Sequence, residues 1–148
     1  MRRVYAGKPA VWERREEFED DVHSFFIHCH HIGDWIVALN VLGITAQDVN
    51  NFINEHECLK ICADLSNGTK HCRLTRKRRT RKQPRVAGAH NEGSEIGNDG
   101  SLVILKSSYT VHSSGAIFDA LQLAEDCMRA WNVYVEALRV RVEKTLKS

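Results

Sequence analysis

Long hydrophobic runs are missing from this sequence, and their absence excludes two classes of protein. The longest apolar stretch, near Ile36 to Leu42, is too short and too interrupted to span a bilayer. The first residues include several cations, but no apolar segment follows them as it would in a secretory signal. We therefore expect a soluble, cytoplasmic protein that has no membrane partner.

A disulfide framework is also missing. The five cysteines are an odd number, and their spacing matches no pattern of paired bridges. Cys58 and Cys62 are four residues apart, so they would share one face of a helix. We interpret all five cysteines as reduced thiols of the cytosol, and we predict neither a cofactor nor a metal ion.

The sequence has no internal repeat, and its 148 residues are the length of one domain. With 43% hydrophobic residues, the chain can form a core without disulfides or a metal. We therefore predict a single helical domain over residues 1–148. Within it, residues 73–100 are predicted to form a basic arm and a glycine-rich loop.

Apolar residues at steps of three and four predict two helices in the first half of the chain. Thr45 and Asp48 have the spacing of a capping box, so the second helix is predicted from about Gln47 to Leu65. Asn67-Gly68 suits the end of that helix, because both residues tolerate the left-handed conformation. The first helix is predicted to end at Gly43, and its buried stripe is Phe18, Val22, Phe25, Cys29, Ile32, Ile36 and Leu39.

The second half of the chain predicts a small β element and one more helix. Residues 84–100 contain Pro84 and four glycines, which is typical of a mobile loop. Residues 102–105 and 109–111 are strand-like and predict a short antiparallel hairpin with that loop at its tip. Ser113 or Ser114 can cap a last helix over 116–146, whose heptad seam is Ile117, Leu121, Ala124, Met128, Trp131, Val135, Leu138 and Val142.

These elements predict a mainly α protein. Its fold would be a helical bundle of three long helices, with a small antiparallel β hairpin inserted before the last helix. The heptad seam of the last helix also offers a surface through which two copies of the chain could form a homodimer.

Charge is distributed very unevenly along the chain. Residues 70–85 hold nine cations and no acidic residue, so the rest of the chain carries −7 although the whole carries +2. Dense basic runs usually bind phosphates, and the alternative is a solvated arm. No aromatic residue interrupts the run, which leaves base stacking unsupported. The predicted nucleic-acid-binding residues are Arg73, Arg76, Lys77, Arg78, Arg79, Arg81 and Lys82.

A first polar cluster lies on the predicted first helix. His28, His30, His31 and Asp34 could together bind a divalent metal, but metal sites draw ligands from several elements and this cluster uses one. We therefore interpret these histidines as rim residues. His31 and Asp34, three residues apart, are close enough in a helix to form a hydrogen bond.

A second polar cluster lies at the predicted end of the second helix. Asp64, Asn67, Lys70 and His71 bring an acid, an amide, a cation and an imidazole together within eight residues. A histidine with a pKa near neutrality can transfer protons, and a lysine can hold a phosphate. The alternative is an ordinary Asn-Gly helix cap followed by an exposed Lys-His pair.

Two motifs carry a resemblance to known families. The segments 25–36 and 62–71 together resemble a family of small uncharacterised bacterial proteins, in which a His-x-x-Asp-Trp helix precedes an Asp-Leu-x-Asn-Gly-x-Lys-His turn. More distantly, Asn67 and His71 have the spacing of the HEPN superfamily, whose members typically cleave RNA as dimers without a metal. Ser66 stands where that superfamily has an arginine.

The resemblance implies an RNA-acting protein, with RNA a better partner than DNA, and a metal-independent RNase of a toxin or defence system as its activity. In that case His71 would be the acid or base, Asn67 would orient the substrate and Lys70 would hold phosphate. Asp64 or Asp34 would position a histidine. The alternative is a non-catalytic module that binds nucleic acid or another helix.

Overall fold

The described residues form four α-helices, with a three-stranded antiparallel sheet before the last one. The computed structural model describes residues 15–70, 78–80, 82–96 and 102–147. The helices are α1 (Arg15–Ala38), α2 (Ala46–Glu55), α3 (Glu57–Lys70) and α4 (Ala120–Lys147), and the strands are β1 (Arg85–Ile96), β2 (Leu102–Ser113) and β3 (Ala116–Asp119). The predicted class, a mainly α fold with a small antiparallel sheet before the last helix, is confirmed. Where three long helices were predicted, the structure has two long helices, α1 and α4, and two shorter ones, α2 and α3.

Helix α1 is buried along a stripe of residues three and four apart. Val22, Phe26, Cys29 and Ile36 are each less than one tenth exposed. The prediction placed Phe25 in this stripe, but Phe26 fills the core and Phe25 packs edge-on against it. Leu39 is 73% exposed, because the helix ends at Ala38 and not at Gly43.

The junction between α1 and its neighbours depends on a glycine inside α1. A Cβ atom added to Gly33 would lie 2.8 Å from Val49 Cγ1 on α2 and 3.3 Å from the Trp131 ring on α4. These two helices can therefore approach the α1 backbone closely only because no side chain is present there.

The predicted second helix is two helices. The capping box is confirmed, since Thr45 Oγ1 accepts from the Asp48 amide and Asp48 Oδ2 accepts from the Thr45 amide at 2.9 Å. His56 then takes an extended conformation and ends α2, and α3 begins at Glu57. The predicted stop at Asn67-Gly68 is wrong, because α3 continues to Lys70.

Gly68 has another function in the structure. A Cβ atom at this position would collide with the side-chain amide of Gln83, which donates to the Asp64 carbonyl oxygen at 2.7 Å. Gly68 therefore allows the chain after α3 to pack against the helix, which explains a glycine in a helical segment.

The predicted glycine-rich loop is largely a strand. Residues 85–96 pair with β2 in an antiparallel register that runs from Arg85 opposite His112 to Ile96 opposite Leu102. A register shift between Ala87 and Ala89 leaves Gly88 as a bulge. Residues 97–101 lie outside the described part of the chain.

Residues 116–119, predicted to begin the last helix, form strand β3 beside β2. Ser114 and Gly115 have φ values of 52° and 93°, as a tight turn between antiparallel strands requires. Asp119 Oδ1 accepts from the Gln122 amide at 2.8 Å and caps α4, so the predicted cap at Ser113 or Ser114 is wrong.

The core lies where α1, α3 and α4 meet the base of the sheet. Helix α4 contributes Leu123, Cys127 and Trp131, while Tyr109 and Val111 of β2 are buried beside it. The heptad seam is only partly buried, since Val135 is 47% exposed. No helix among the residues described is both long and apolar enough to cross a membrane.

Candidate functional sites

Asp64 on α3 is buried and binds the chain that returns from the basic run. Asp64 is only 3% exposed, and both of its carboxylate oxygens accept hydrogen bonds. Oδ1 accepts from the Arg79 amide at 3.1 Å, and Oδ2 accepts from the Thr80 amide at 2.7 Å and from its hydroxyl at 2.6 Å. Gln83 adds its bond to the Asp64 carbonyl. We call this set, Asp64 with Arg79, Thr80 and Gln83, the Asp64 anchor.

The Arg79 side chain extends the Asp64 anchor to helix α2. Its two terminal nitrogens donate to Asn54 Oδ1 at 2.5 Å and to Asn50 Oδ1 at 2.6 Å. Burial lowers the pKa of Arg79 from its usual value, and the neighbouring Asp64 carboxylate opposes that shift. Arg79 was predicted to bind nucleic acid, but its guanidinium is already engaged by two amides of the protein itself.

The other residues of the predicted basic run divide into two groups. Arg78 and Lys82 are exposed on either side of the Asp64 anchor. Arg73, Arg76, Lys77 and Arg81 lie outside the described residues. The anchor therefore connects the end of the basic run to the helical body and leaves its two described neighbours facing solvent.

The predicted catalytic turn is part of a helix. Ser66 is 0% exposed, and its hydroxyl has no hydrogen-bond partner among the residues described. Asn67 is half-buried one position later. Lys70 is the last residue of α3 and its side chain is not described, while His71 lies outside the described residues. Asp64 and Ser66 thus face the interior, where a substrate phosphate does not reach.

The polar cluster on α1 is a local surface pair. His31 Nδ1 lies 2.7 Å from Asp34 Oδ2, with the two side chains 34% and 67% exposed. This is the contact that their spacing predicted. His28 is exposed, and within the described ranges the α1 histidines form no group of three ligands around a common point. Asp34 and Asp64 therefore belong to separate local networks.

Four cysteines form a cluster inside the bundle, which the sequence analysis did not predict. Cys29 on α1, Cys62 on α3 and Cys127 on α4 are buried, and their sulfur atoms all lie within 4.8 Å of one another. Cys58 is half-buried one turn before Cys62, and its thiol is within hydrogen-bond range of Cys127. None of these four cysteines forms a disulfide.

The thiols of this cysteine cluster differ strongly in acidity. Hydrogen bonding from Cys127 lowers the pKa of Cys29 to about 4 and that of Cys58 to about 7. The pKa of Cys127 is raised, because its thiol proton is held among the Cys29, Cys58 and Cys62 thiols and the side chain is buried. The pKa of Cys62 is also raised, since its bond to Cys29 and its burial outweigh the opposite effect of Cys127. Within the cluster, hydrogen bonding therefore makes Cys29 the most acidic thiol.

Only part of these sites has a signature in the sequence. The four-residue spacing of Cys58 and Cys62 indicated a shared helix face, which α3 confirms, but nothing local linked them to Cys29 or Cys127. Comparisons of the chain with protein-family models, with curated proteins and with solved structures found no match.

Proposed function

We propose that this protein is a non-catalytic nucleic-acid-binding module, with RNA as its ligand, which contacts phosphates through the basic segment of residues 70–85. The observation that carries the proposal is the Asp64 anchor. It fixes the chain at Arg79 and Thr80 against α2 and α3, next to the exposed cations Arg78 and Lys82. A binding segment held at one end loses less conformational freedom when it meets its ligand than a free one.

The charge distribution supports the same function. The segment carries +9 and the remainder of the chain −7, so a polyanion is attracted to one part of the molecule and repelled by the rest. Arg85 at the start of β1 is also exposed and extends the positive surface beyond Lys82. Such an arrangement orients a nucleic acid without reading its sequence, because phosphates are the same along the strand.

Catalysis is less well supported than binding. An acid or base must reach the proton that it transfers, but both oxygens of Asp64 accept hydrogen bonds from the anchor. Ser66 stands where the HEPN superfamily has an arginine, but it is fully buried and has no positive charge with which to hold a phosphate. RNA cleavage assayed with wild type and His71→Ala in chelator tests directly whether His71 acts as an acid or base; the binding proposal expects no cleavage by either protein.

The binding proposal predicts a charge-specific loss of RNA affinity. We expect the double variant Arg78→Gln, Lys82→Gln to bind a labelled single-stranded RNA more weakly and with a shallower salt dependence. Each lost phosphate contact should reduce the slope of log affinity against log salt by about 0.7, because fewer counterions are released. Fluorescence anisotropy at a series of salt concentrations measures both quantities.

The matched control removes the same charge elsewhere. Lys144 and Lys147 are exposed in the last turn of α4, so Lys144→Gln, Lys147→Gln also lowers the net charge by two. If the control changes affinity and slope as much as the arm variant, the ligand responds only to net charge and the proposed surface is wrong. If wild type and the variant Arg78→Gln, Lys82→Gln bind RNA equally well, the proposed surface is wrong as well.

A second function, association through α4, is favoured by one observation. A groove of about 1120 Å³ lies between α1 and α4. Four members of the predicted heptad seam line it, and three of them, Leu121, Met128 and Val135, lie at intervals of seven residues. The fourth is Ala124, while Trp131 and Leu138 face the core. A seven-residue apolar repeat is the pattern by which helices pack on one another, so we propose α4 of a second copy as the occupant.

This dimer proposal predicts a change in assembly on adding charge to the groove. Val135 is 47% exposed, and Val135→Lys should convert a dimer to a monomer in sedimentation velocity. Val140, 39% exposed and not part of the groove lining, provides the control Val140→Lys, which should leave the assembly unchanged. A wild-type chain that sediments as a monomer at all concentrations would refute the dimer.

A further inference from the structure

We propose that Cys29, Cys58, Cys62 and Cys127 bind one zinc ion as four thiolate ligands in the centre of the helical bundle. Three of these residues come from different helices, and Cys58 lies one helical turn from Cys62 on the same helix. Four cysteine ligands in a closed tetrahedral arrangement are typical of structural zinc sites. This site is independent of the nucleic-acid surface proposed above.

The distances fit a single metal ion. Zinc–sulfur bonds of about 2.3 Å in a tetrahedron place the sulfurs roughly 3.8 Å apart. The sulfurs of Cys29, Cys62 and Cys127 are within 4.8 Å of one another, so small side-chain movements would bring them to that spacing. A cluster of several irons attaches its thiolates to different metal atoms and would need the three helices to move apart.

The fourth ligand, Cys58, lies beside Cys127 but outside the group of three sulfurs that are all within 4.8 Å of one another, so its side chain must move to complete the tetrahedron. Cys58 already contacts Cys127 through its thiol, and the Cys127 thiol lies 3.3 Å from the Cys58 carbonyl oxygen. Cys58 is the second residue of α3, and its sulfur lies near the Leu59 amide. The amides and the dipole at a helix N-terminus stabilise a thiolate, which is the form that binds metal.

A buried indole lies beside the proposed site. Trp131 is 2% exposed, and its Nε1–H points to the neighbourhood of the Cys29 thiol without a short hydrogen bond to any described residue. Buried donors rarely lack a partner, and a metal-bound thiolate at Cys29 would provide one.

The proton balance of binding is simple. Each of the four ligands forms a zinc–sulfur bond as its thiol proton is lost, so any proton still bound leaves for solvent and the zinc keeps its +2 state. Four thiolates and one zinc ion carry a net charge of −2, which the Trp131 N–H and the Leu59 amide partly offset. The alternative interpretation is that the four cysteines bind no metal and pack as small apolar residues of the core.

The experiment measures metal bound to the purified full chain. We expect one zinc per chain by elemental analysis and, after removal, a cobalt(II) complex with the thiolate-to-metal absorption of tetrahedral coordination. Cys58→Ser should lose about a hundredfold or more in zinc affinity, because it removes a ligand. Cys58 is only half-buried, and circular dichroism shows whether this variant keeps the fold.

Two further variants complete the test. Trp131→Phe keeps an aromatic ring but removes the N–H, and it should weaken zinc binding about 10- to 100-fold. Cys72→Ser changes the fifth cysteine, which lies outside the described residues, and should leave binding unchanged. No bound metal in wild type, full affinity in Cys58→Ser, or iron with inorganic sulfide instead of zinc would each overturn the proposal.

Discussion

Ser66→Arg is expected to destabilise the fold, not to restore a phosphate-binding residue. Ser66 is 0% exposed on α3, and its position can hold neither the volume nor the charge of a guanidinium. Overpacking a core costs about 1–3 kcal/mol, and a buried unpaired cation adds several more. The sum approaches the whole stability of a typical domain, about 5–15 kcal/mol.

Urea unfolding followed by circular dichroism measures this effect. Ser66→Arg should shift the midpoint far below that of wild type or leave no cooperative transition. Ser66→Ala is the control, because it removes only a hydroxyl that lacks a partner and should change stability by less than about 1 kcal/mol. A Ser66→Arg protein with the wild-type midpoint and RNA-cleaving activity would instead support the HEPN resemblance.

The parts of the fold that the sequence predicted are those decided locally. The stripe of Val22, Cys29 and Ile36 depends on the period of one helix, and the capping box at Thr45 joins groups three residues apart. The strand-like runs at 102–105 and 109–111 were likewise recognised from their β-favouring residues, but they form one strand, β2, and not the two strands of the predicted hairpin. Each of these signals lies within a single helix, turn or strand.

The wrong boundaries depend on contacts with distant parts of the chain. Gly68 fits a helix stop by its conformational preference, but the Gln83 amide occupies the space where a side chain would lie. Residues 85–96 contain two glycines and resemble a loop until they pair with β2. Tertiary contacts override local propensity in both cases.

The candidate sites divide in the same way. The contact of His31 with Asp34 follows from their spacing on one helix. The Asp64 anchor joins residues 16 positions apart, and the cysteine cluster joins Cys29 to Cys127 across most of the chain. Neither has a local pattern, so a single sequence cannot predict them. The basic run was found from its charge, but its partner Asp64 was not.

Asp64→Asn is expected to release the chain at residues 79–83 from the helical body. The carboxylate accepts three hydrogen bonds inside the protein, and an amide in its place would turn an NH2 group toward at least one of the donors. A hydrogen bond to a buried charged group contributes about 1.5–3 kcal/mol, and a donor left without a partner costs about 1–3 kcal/mol. We therefore expect a loss of about 3 kcal/mol or more in the free energy of unfolding.

Asp34→Asn is the matched control, because it makes the same chemical change in the other polar network. The Asp34 side chain is 67% exposed and pairs with His31 at the surface, where such contacts contribute about 0–1 kcal/mol. Denaturant unfolding compares the two variants. Hydrogen exchange adds a local measurement, since only Asp64→Asn should expose the amides of Arg79 and Thr80 to rapid exchange.

The same variant connects the anchor to RNA binding. Asp64→Asn keeps every cation of the segment, so the salt dependence of RNA binding should stay at least as steep as in wild type. Affinity should fall nevertheless, because a released segment loses more conformational freedom on binding. Unchanged affinity in a variant whose Thr80 amide exchanges rapidly would mean that the anchor stabilises the fold but does not prepare the segment for RNA.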